Sequence, residues 1–236
     1  MGEQQNPIKL RADEFARKNK KAIAKRIADT RLYPPDAFPV SVFMAGSPGA
    51  GKTESSRNLI EKLSKDSHAI LRIDSDDLRL EFPEYDGKNS SLFIGATSII
   101  ADKIQDVALD NGQSFVFDGT LSKIEISKRN IRRSLDKKRF IQILYVYQDP
   151  LQAWNFVKAR ELKDGRMVPK NAFVEQYFLA RENVNKLKQE FGPNLRVDLV
   201  VKDIDGTDFS YRENIDIIDN HIPEKYTKDT LDTLIA

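Results

Sequence analysis

The sequence of 236 residues contains no cysteine and only two histidines, His68 and His221. Without cysteine, disulfide bonds, thiolate catalysis and cysteine-ligated zinc are excluded, and a cytoplasmic location is the natural expectation. Two histidines that lie far apart in the chain also argue against a histidine metal centre or a serine–histidine relay. Any chemistry must therefore rely on other side chains.

Long apolar runs and a strong charge imbalance are also missing. No apolar segment approaches the ~20 residues that a bilayer span requires, and the polar N-terminus lacks a secretory core, so we expect no membrane association. The net charge of +2 gives no electrostatic reason to expect a nucleic-acid partner. A hydrophobic content of 40% and a charged content of 31% suit one α/β domain with appendages, or at most two small domains.

A phosphate-binding loop stands out among what is present. Residues 46–53 read G-S-P-G-A-G-K-T, a full match to G-x-x-x-x-G-K-[S/T]. The apolar run 40–45 before it predicts a buried strand, and residues 54–63 after it predict a helix. The loop glycines let backbone N–H groups turn inward around phosphate oxygens, beside the positive end of that helix. The expected nucleotide contacts are Gly46, Ser47, Pro48, Gly49, Ala50, Gly51, Lys52, Thr53 and Glu54.

Two residues of the loop have specific expected roles. Lys52 places a cation near the β- and γ-phosphates, and the hydroxyl of Thr53 is a ligand for Mg²⁺. We therefore expect ATP, or GTP, together with Mg²⁺. The guanine-reading N-K-x-D motif of GTPases is absent, and the size of the core is typical of small-molecule and nucleotide kinases.

Alternating strand and helix patterns follow the loop. Further strands are predicted at 68–74, 114–117, 140–147 and 195–201, with helices at 91–109, 122–137, 150–162 and 171–190. The alternation predicts a three-layer α/β/α P-loop NTPase fold with a mostly parallel five-stranded sheet. Residues 10–30 predict one more helix. We expect an N-terminal helical extension at 1–36, a P-loop kinase core at 37–205 and a C-terminal extension at 206–236.

Polar residues follow the second and third predicted strands, where ligands of such sheets gather. Asp76 is the candidate base for an acceptor hydroxyl, and the alternative is an N-cap for the short helix after it. Asp74 either reaches Mg²⁺ through water or holds the loop. Asp118 is a candidate ligand for Mg²⁺ or for an acceptor hydroxyl, and Thr120 either donates to the acceptor or caps the next helix.

Two arginines are candidate lid cations. Arg160 lies near the end of one predicted helix and Arg166 lies in the loop before the next, with Gly165 as a flexing point between them. Arginines of this kind close over the γ-phosphate and exclude water. Ordinary surface charge is the alternative for both.

Taken in order, these segments resemble the zeta toxin family of phosphate-loop kinases. The resemblance rests on the loop at 46–53, I-D-S-D-D-L-R at 73–79, D-G-T at 118–120, and Arg160 followed by G-R-x-x-P at 165–169. That family phosphorylates the 3′-hydroxyl of the amino sugar in UDP-N-acetylglucosamine with ATP or GTP. Its members are commonly inhibited by an antitoxin helix that blocks the nucleotide site, and some by an element in cis. The resemblance thus implies a sugar-nucleotide acceptor and an antitoxin partner, or a cis-inhibitory N-terminal helix.

The resemblance also implies roles for individual residues. Asp76 is implied as the base, and Lys52, Arg160 and Arg166 as the cations of the transfer. Thr53 is the implied ligand for Mg²⁺, and Asp118 stays a candidate metal ligand from its position after the third strand. The implied acceptor pocket contains Asp76, Asp102, Asp118 and Thr120, and we expect Arg79 to belong to it as well.

The departures from the family pattern concern the acceptor. Asp102 and Asp118 stand where the family often has glutamate, and Ser122 stands where it often has arginine, with Lys123 or Arg129 as replacement cations. One alternative is therefore a kinase for another acceptor, such as a nucleoside, an antibiotic or a polynucleotide end. Another is a nucleotide-binding regulatory module with slow or no phosphoryl transfer.

Overall fold

The computed structural model describes residues 6–64, 69–165, 167–203, 205, 208–223 and 226–235. The strands in this part of the chain are β1 (Val40–Ala45), β2 (Leu71–Asp74), β3 (Phe115–Asp118), β4 (Phe140–Tyr147), β5 (Arg196–Lys202) and β6 (Asp208–Arg212). The α-helices are α1 (Pro7–Ile27), α2 (Lys52–Ser64), α3 (Ile94–Asp110), α4 (Ile124–Asp136), α5 (Pro150–Asp164), α6 (Lys170–Phe191) and α7 (Lys228–Leu234). None of the helices described is long and apolar enough to cross a bilayer.

The strands form a single sheet in the order β2-β3-β1-β4-β5-β6. The first five are parallel, and β6 runs antiparallel to β5. With helices on both sides of the sheet, the predicted three-layer fold is confirmed. The prediction of five strands is wrong by one, because Asp208–Arg212 adds an edge strand within the segment assigned to the C-terminal extension. Its sequence, D-F-S-Y-R, alternates polar residues with Phe209 and Tyr211, but five residues are too few for a clear strand signal.

The central strand β1 is buried on both faces, as its apolar run predicts. Phe43 and Ala45 join the larger hydrophobic core, whereas Val42 and Met44 join a second core on the other side of the sheet. This alternation follows from the two-residue period of a strand. Each such buried side chain contributes about 1.5–3 kcal/mol of transfer free energy. The phosphate loop therefore begins from a strand that is fixed on both faces.

Helix α1 begins at Pro7 rather than near residue 10. The side chain of Asn6 accepts a hydrogen bond from the N–H of Ile8 at 2.9 Å, and Pro7 occupies the first helical position. A cap followed by proline is a strong start signal. The apolar stripe alone points to a later start, because it appears only further along the helix.

Helix α1 packs against α3 and against the segment between β2 and α3. The ring of Phe15 lies 5.4 Å from that of Phe82, which in turn lies 5.2 Å from Phe93. Arg11 and Arg26 add ion pairs to Glu84 at 2.6 Å and Glu81 at 2.5 Å. The helix thus supports the segment that follows β2.

Candidate active site

A cleft of about 1050 Å³ opens where the parallel strands end. Among its lining residues are most of those predicted from the sequence, namely Pro48, Gly49, Ala50, Gly51, Lys52, Thr53, Glu54, Asp76, Arg79, Asp102, Asp118, Thr120 and Arg160. Gly46 and Ser47 lie at the start of the loop and are not among the lining residues. Arg166 lies outside the residues that the structure describes.

The phosphate loop has the geometry that its sequence requires. Gly49 adopts φ +76°, and a Cβ there would lie 2.1 Å from the carbonyl oxygen of Ala153, so no other residue fits without a shift. The ammonium of Lys52 donates to the carbonyl oxygens of Gly46 at 2.9 Å and Ser47 at 2.6 Å. A glycine cradle at a helix N-terminus, with an ammonium group over it, fits a triphosphate.

Asp76 lies in the turn after β2 and faces the cleft. Its backbone N–H donates to Oδ1 of Asp74 at 2.8 Å, and its carboxylate forms an ion pair with Arg79 at 2.8 Å. Asp76 precedes the short 3-10 helix Asp77–Glu81 but makes no side-chain cap bond to it. The N-cap alternative is therefore not observed. Of the two alternatives for Asp74, its carboxylate does hold the turn.

Arg72 is a site residue that the motifs did not reveal. Its side chain is 14% exposed and forms ion pairs with Asp74, with Asp77 at 2.7 Å and with Asp118 at 2.8 Å. Oδ2 of Asp118 also accepts from the hydroxyl of Ser56 at 3.1 Å. In the sequence, only the charge of Arg72 within an otherwise apolar run points to this network.

The acids at the ends of β2 and β3 influence one another. Burial, followed by the charges of Asp118 and Asp76, raises the pKa of Asp74 from 3.8 to about 6, while the Arg72 guanidinium and the N–H of Asp76 act in the opposite direction. Desolvation disfavours a carboxylate, and a like charge nearby does the same. Asp74 thus changes its protonation closer to neutral pH than an ordinary aspartate.

Asp102 lies on α3 at the acceptor side of the cleft and is already paired with cations. Its Oδ1 lies 2.8 Å from Arg129 and 2.9 Å from Arg133, both on α4. Arg129 and Lys123 line the cleft as well. Lys123 is exposed and has no ion-pair partner among the described residues. This end of the cleft therefore presents positive charge.

The turn after β3 places two hydroxyls in the cleft. The hydroxyl oxygens of Thr120 and Ser122 lie 2.9 Å apart. Thr120 does not cap the next helix, since the N-cap position of α4 is Lys123. Between them, Leu121 adopts φ +53°, and its carbonyl oxygen accepts from the side-chain amide of Asn183 at 2.9 Å. A left-handed non-glycine residue is strained and persists only where its surroundings hold it.

The segment around the end of α5 approaches the acceptor side. Arg160 and Lys163 of α5 line the cleft. Gly165 ends the helix with φ +70°, and a Cβ there would lie 3.4 Å from Cγ of Lys88. The chain after α5 thus lies next to the segment that follows β2. The pairing of Arg160 with Arg166 stays a prediction.

Lys202, at the end of β5, is a second residue that the sequence did not reveal. Its side chain is 1% exposed, and its Nζ lies 3.6 Å from Oε2 of Glu54. A Cβ at Gly51 would lie 3.3 Å from Cε of Lys202. Glu54, predicted as a nucleotide contact, therefore lies at the edge of the cleft beside a buried lysine.

No group of three or more acids or histidines that could hold a metal occurs in the described part of the chain. A Mg²⁺ ion that accompanies a nucleotide does not need such a group, because it keeps several waters and binds phosphate oxygens. Thr53 lines the cleft, and its role as a ligand for such an ion stays a prediction. Oδ2 of Asp118, the other predicted ligand, contacts Arg72 and Ser56, and the role of Asp118 as a metal ligand stays a prediction.

Helix α1 contributes none of the lining residues of the cleft, within the part of the chain that the structure describes. It packs instead on the far side of α3 and on the segment after β2. The hypothesis that this helix covers the nucleotide site therefore gains no support from its position.

Comparison with known proteins identifies one matching family and several solved structures with the same fold. The model of the family described as zeta toxin matches residues 24–216. No curated protein sequence matches the chain. A structure from the PezAT chromosomal toxin–antitoxin system of Streptococcus pneumoniae is similar at a TM-score of 0.61 and 18% identity, covering 99% of this chain and 90% of that chain.

Two further structures share the fold at lower coverage. The complex of AvrRxo1-ORF1 and -ORF2 with ATP has a TM-score of 0.58 and 14% identity, covering 87% of this chain and 65% of that chain. A structure of the Pnkp1/Rnl/Hen1 RNA repair complex has a TM-score of 0.50 and 16% identity, covering 78% and 50%. At these identities the likeness establishes the fold alone.

Proposed function

Because the chain belongs to the zeta toxin family, we propose that it is a kinase that transfers the γ-phosphoryl group of ATP, or GTP, to a hydroxyl of a UDP-sugar such as UDP-N-acetylglucosamine. The observation that carries the proposal is the convergence of the phosphate loop, Asp76, Asp118 and Arg160 on one cleft. A phosphate loop alone serves many activities. A kinase also needs a residue that deprotonates or orients the acceptor hydroxyl, and the acids at the ends of β2 and β3 can supply it on the same cleft.

The nucleotide occupies the loop half of the cleft in this proposal. Backbone N–H groups of the loop bind the β-phosphate, and Lys52 leaves the carbonyls of Gly46 and Ser47 to meet the β- and γ-phosphates. Thr53 would hold Mg²⁺, and the bound ion would supply neutralisation of the phosphate charge. Arg160, with Arg166, approaches the γ-phosphate from α5 and the chain after it.

The acceptor occupies the half between α3 and α4. Asp76 accepts the proton of the acceptor hydroxyl as that oxygen attacks the γ-phosphorus, and the bond to the β-phosphate oxygen breaks. The side chain of Asp76 lines the cleft and is 34% exposed. Arg79 holds the carboxylate of Asp76 in place through an ion pair of 2.8 Å. Thr120 and Asp118 orient the sugar.

The charge at the acceptor end favours an acceptor with an anionic group. Ser122 stands where the family often has arginine. Lys123 and Arg129 of the adjoining segment line the cleft and supply positive charge instead. A UDP-sugar carries a diphosphate that these cations would bind. A nucleic-acid end carries phosphates too, and a structural neighbour belongs to an RNA repair complex, so a polynucleotide 5′-hydroxyl is the second candidate acceptor.

The neighbouring toxin–antitoxin structure also supports an antitoxin protein as a partner that restrains the activity. We propose that such a partner blocks the nucleotide half of the cleft. Inhibition by α1 has less support than inhibition by a partner protein, because α1 lines no part of the cleft.

The acceptor is tested by mass spectrometry after incubation with ATP and Mg²⁺. Separate reactions contain UDP-N-acetylglucosamine, a nucleoside, and an RNA or DNA oligonucleotide with a 5′-hydroxyl. The proposal predicts one added phosphoryl group on the UDP-sugar, and none when Lys52→Ala replaces the wild type. Phosphorylation of the oligonucleotide alone would exclude the UDP-sugar and support the second candidate.

A further inference from the structure

Arg72 lies in the middle of β2 and shares a face of that strand with Asp74. Leu71 and Ile73, which alternate with them, are buried in the main core. The pairing of β2 with β3 places Asp74 opposite Asp118. One guanidinium, 14% exposed, therefore lies between the acids that end two neighbouring strands.

Four partners surround this guanidinium. Arg72 donates to Asp74 and, at 2.8 Å, to Oδ2 of Asp118. It also donates to Oδ2 of Asp77 at 2.7 Å and to Oγ of Ser56 at 3.3 Å. These partners belong to β2, β3, the 3-10 helix after β2, and the helix that follows the phosphate loop. The planar fork of arginine can satisfy several acceptors at fixed angles, which a lysine cannot do.

Two of the four partners of Arg72 contact a residue with a proposed chemical role. Asp74 accepts the backbone N–H of Asp76, the proposed base, at 2.8 Å. Oγ of Ser56 lies 2.9 Å from the carbonyl oxygen of Thr53, in the first turn of α2. Arg72 therefore connects to the base through Asp74 and to the nucleotide end of the cleft through Ser56, although Arg72 itself does not line the cleft.

We propose that Arg72 is a positioning residue for phosphoryl transfer, which fixes the orientation of Asp76 and Asp118 relative to the phosphate loop. Without the guanidinium, Asp74, Asp77 and Asp118 would repel one another in a partly buried site, and the turn that carries Asp76 would move. The inference rests on the proposed kinase function. It goes further, because no motif or family pattern pointed to this residue.

The test is the substitution Arg72→Lys, which keeps the positive charge and removes the fork. We expect Arg72→Lys to fold and to bind Mg²⁺–ATP with a Kd within about three-fold of wild type. We expect kcat/KM for the UDP-sugar to fall by about ten-fold or more, because small misplacements of reacting groups are costly. Amide exchange at Asp76, followed by NMR, should be about ten-fold faster, because its acceptor on Asp74 is no longer held.

A matched control is available on β5. Arg196 also forms an ion pair with an acid two residues on, Asp198 at 2.8 Å, and a second pair with Glu213 at 2.8 Å, and none of the three lines the cleft. Arg196→Lys should lower the melting temperature and leave kcat/KM and the Asp76 amide unchanged. A purely structural role for Arg72 predicts that the two variants behave alike.

The outcomes separate this inference from the proposed function. Unchanged kcat/KM in Arg72→Lys overturns the positioning role, whatever the amide exchange does. If wild type phosphorylates no acceptor, the proposed function fails, and the exchange rate of the Asp76 amide alone tests the inference. Faster exchange in Arg72→Lys but not in Arg196→Lys supports it. Equal exchange in the two variants overturns it. If Arg72→Lys does not fold, Arg72→Gln in an Asp74→Asn background, which removes one uncompensated acid, takes its place and is compared with Asp74→Asn alone under the same criteria.

Discussion

Two single residues in the cleft show how local geometry sets its properties. Gly49 is required by space, since a Cβ would meet the carbonyl oxygen of Ala153 at 2.1 Å. Asp74 has an unusual pKa, since burial and neighbouring acids raise the pKa of its carboxyl to about 6. The first could be predicted from the motif. The second could not, because the pKa depends on Arg72 and Asp118, which only the folded sheet brings together.

We predict that Gly49→Ala abolishes nucleotide binding. The methyl group cannot be accommodated without moving the loop, and φ +76° is strained for alanine in addition. Isothermal titration with Mg²⁺–ATP should show a loss of at least about 100-fold in affinity, since misplaced loop amides no longer converge on the phosphates. Gly119→Ala, where a Cβ would have no atom within 4 Å, is the control for the effect of an added methyl group in the cleft.

We predict that Asp74→Asn alters the pH dependence of stability. Because the folded-state pKa is raised, the stabilising effect of the protonated carboxyl is fully present below pH 3.8 and is lost as pH rises through about 6. A shift of this size corresponds to about 3 kcal/mol. Urea unfolding between pH 4 and pH 7 should show wild type losing stability relative to Asp74→Asn by about 2–3 kcal/mol. A constant difference across this range would contradict the raised pKa.

At the scale of elements, the buried strands and long helices could be predicted, and the supporting elements could not. The strand Phe140–Tyr147 begins and ends as predicted, because its eight residues, which are β-branched, aromatic or otherwise apolar except for Gln142, give a clear strand signal. The strand β6 was missed, because its alternating pattern spans only five residues and its stability comes from pairing with β5. The role of α1 was also open, because an amphipathic basic helix does not reveal which surface it covers.

We predict that α1 is required for the fold rather than for inhibition. Phe15→Ala should lower the free energy of unfolding by about 2–3 kcal/mol, because it removes the ring that packs on Phe82. Leu32→Ala, with a side chain 62% exposed in wild type, should change it by less than about 0.5 kcal/mol. Chemical denaturation measures both. An increase in kinase activity on deletion of residues 1–36, with the fold intact, would favour inhibition instead.

At the scale of the whole molecule, the sheet topology explains why residues far apart in sequence form one site. The strand order places β1 between β3 and β4, so the turns after β1 and β3 are adjacent and that after β2 follows. The acids and the loop could therefore be predicted to meet, from connectivity alone. What could not be predicted is how they are held: Arg72, Lys202 and Asn183 come from a strand interior, a strand end and a distant helix.

The most direct test of the central claim compares Asp76→Asn with wild type in nucleotide binding and in phosphoryl transfer. Asparagine keeps the shape and can still accept from Arg79, but it cannot take a proton from the acceptor. Asp110→Asn, an exposed acid at the end of α3 with its side chain 68% exposed, is the control. We predict that Asp76→Asn binds Mg²⁺–ATP within about three-fold of wild type and transfers phosphate about 10²–10⁴-fold more slowly in a single turnover. Transfer by Asp76→Asn at a rate within ten-fold of wild type and of Asp110→Asn would contradict the account.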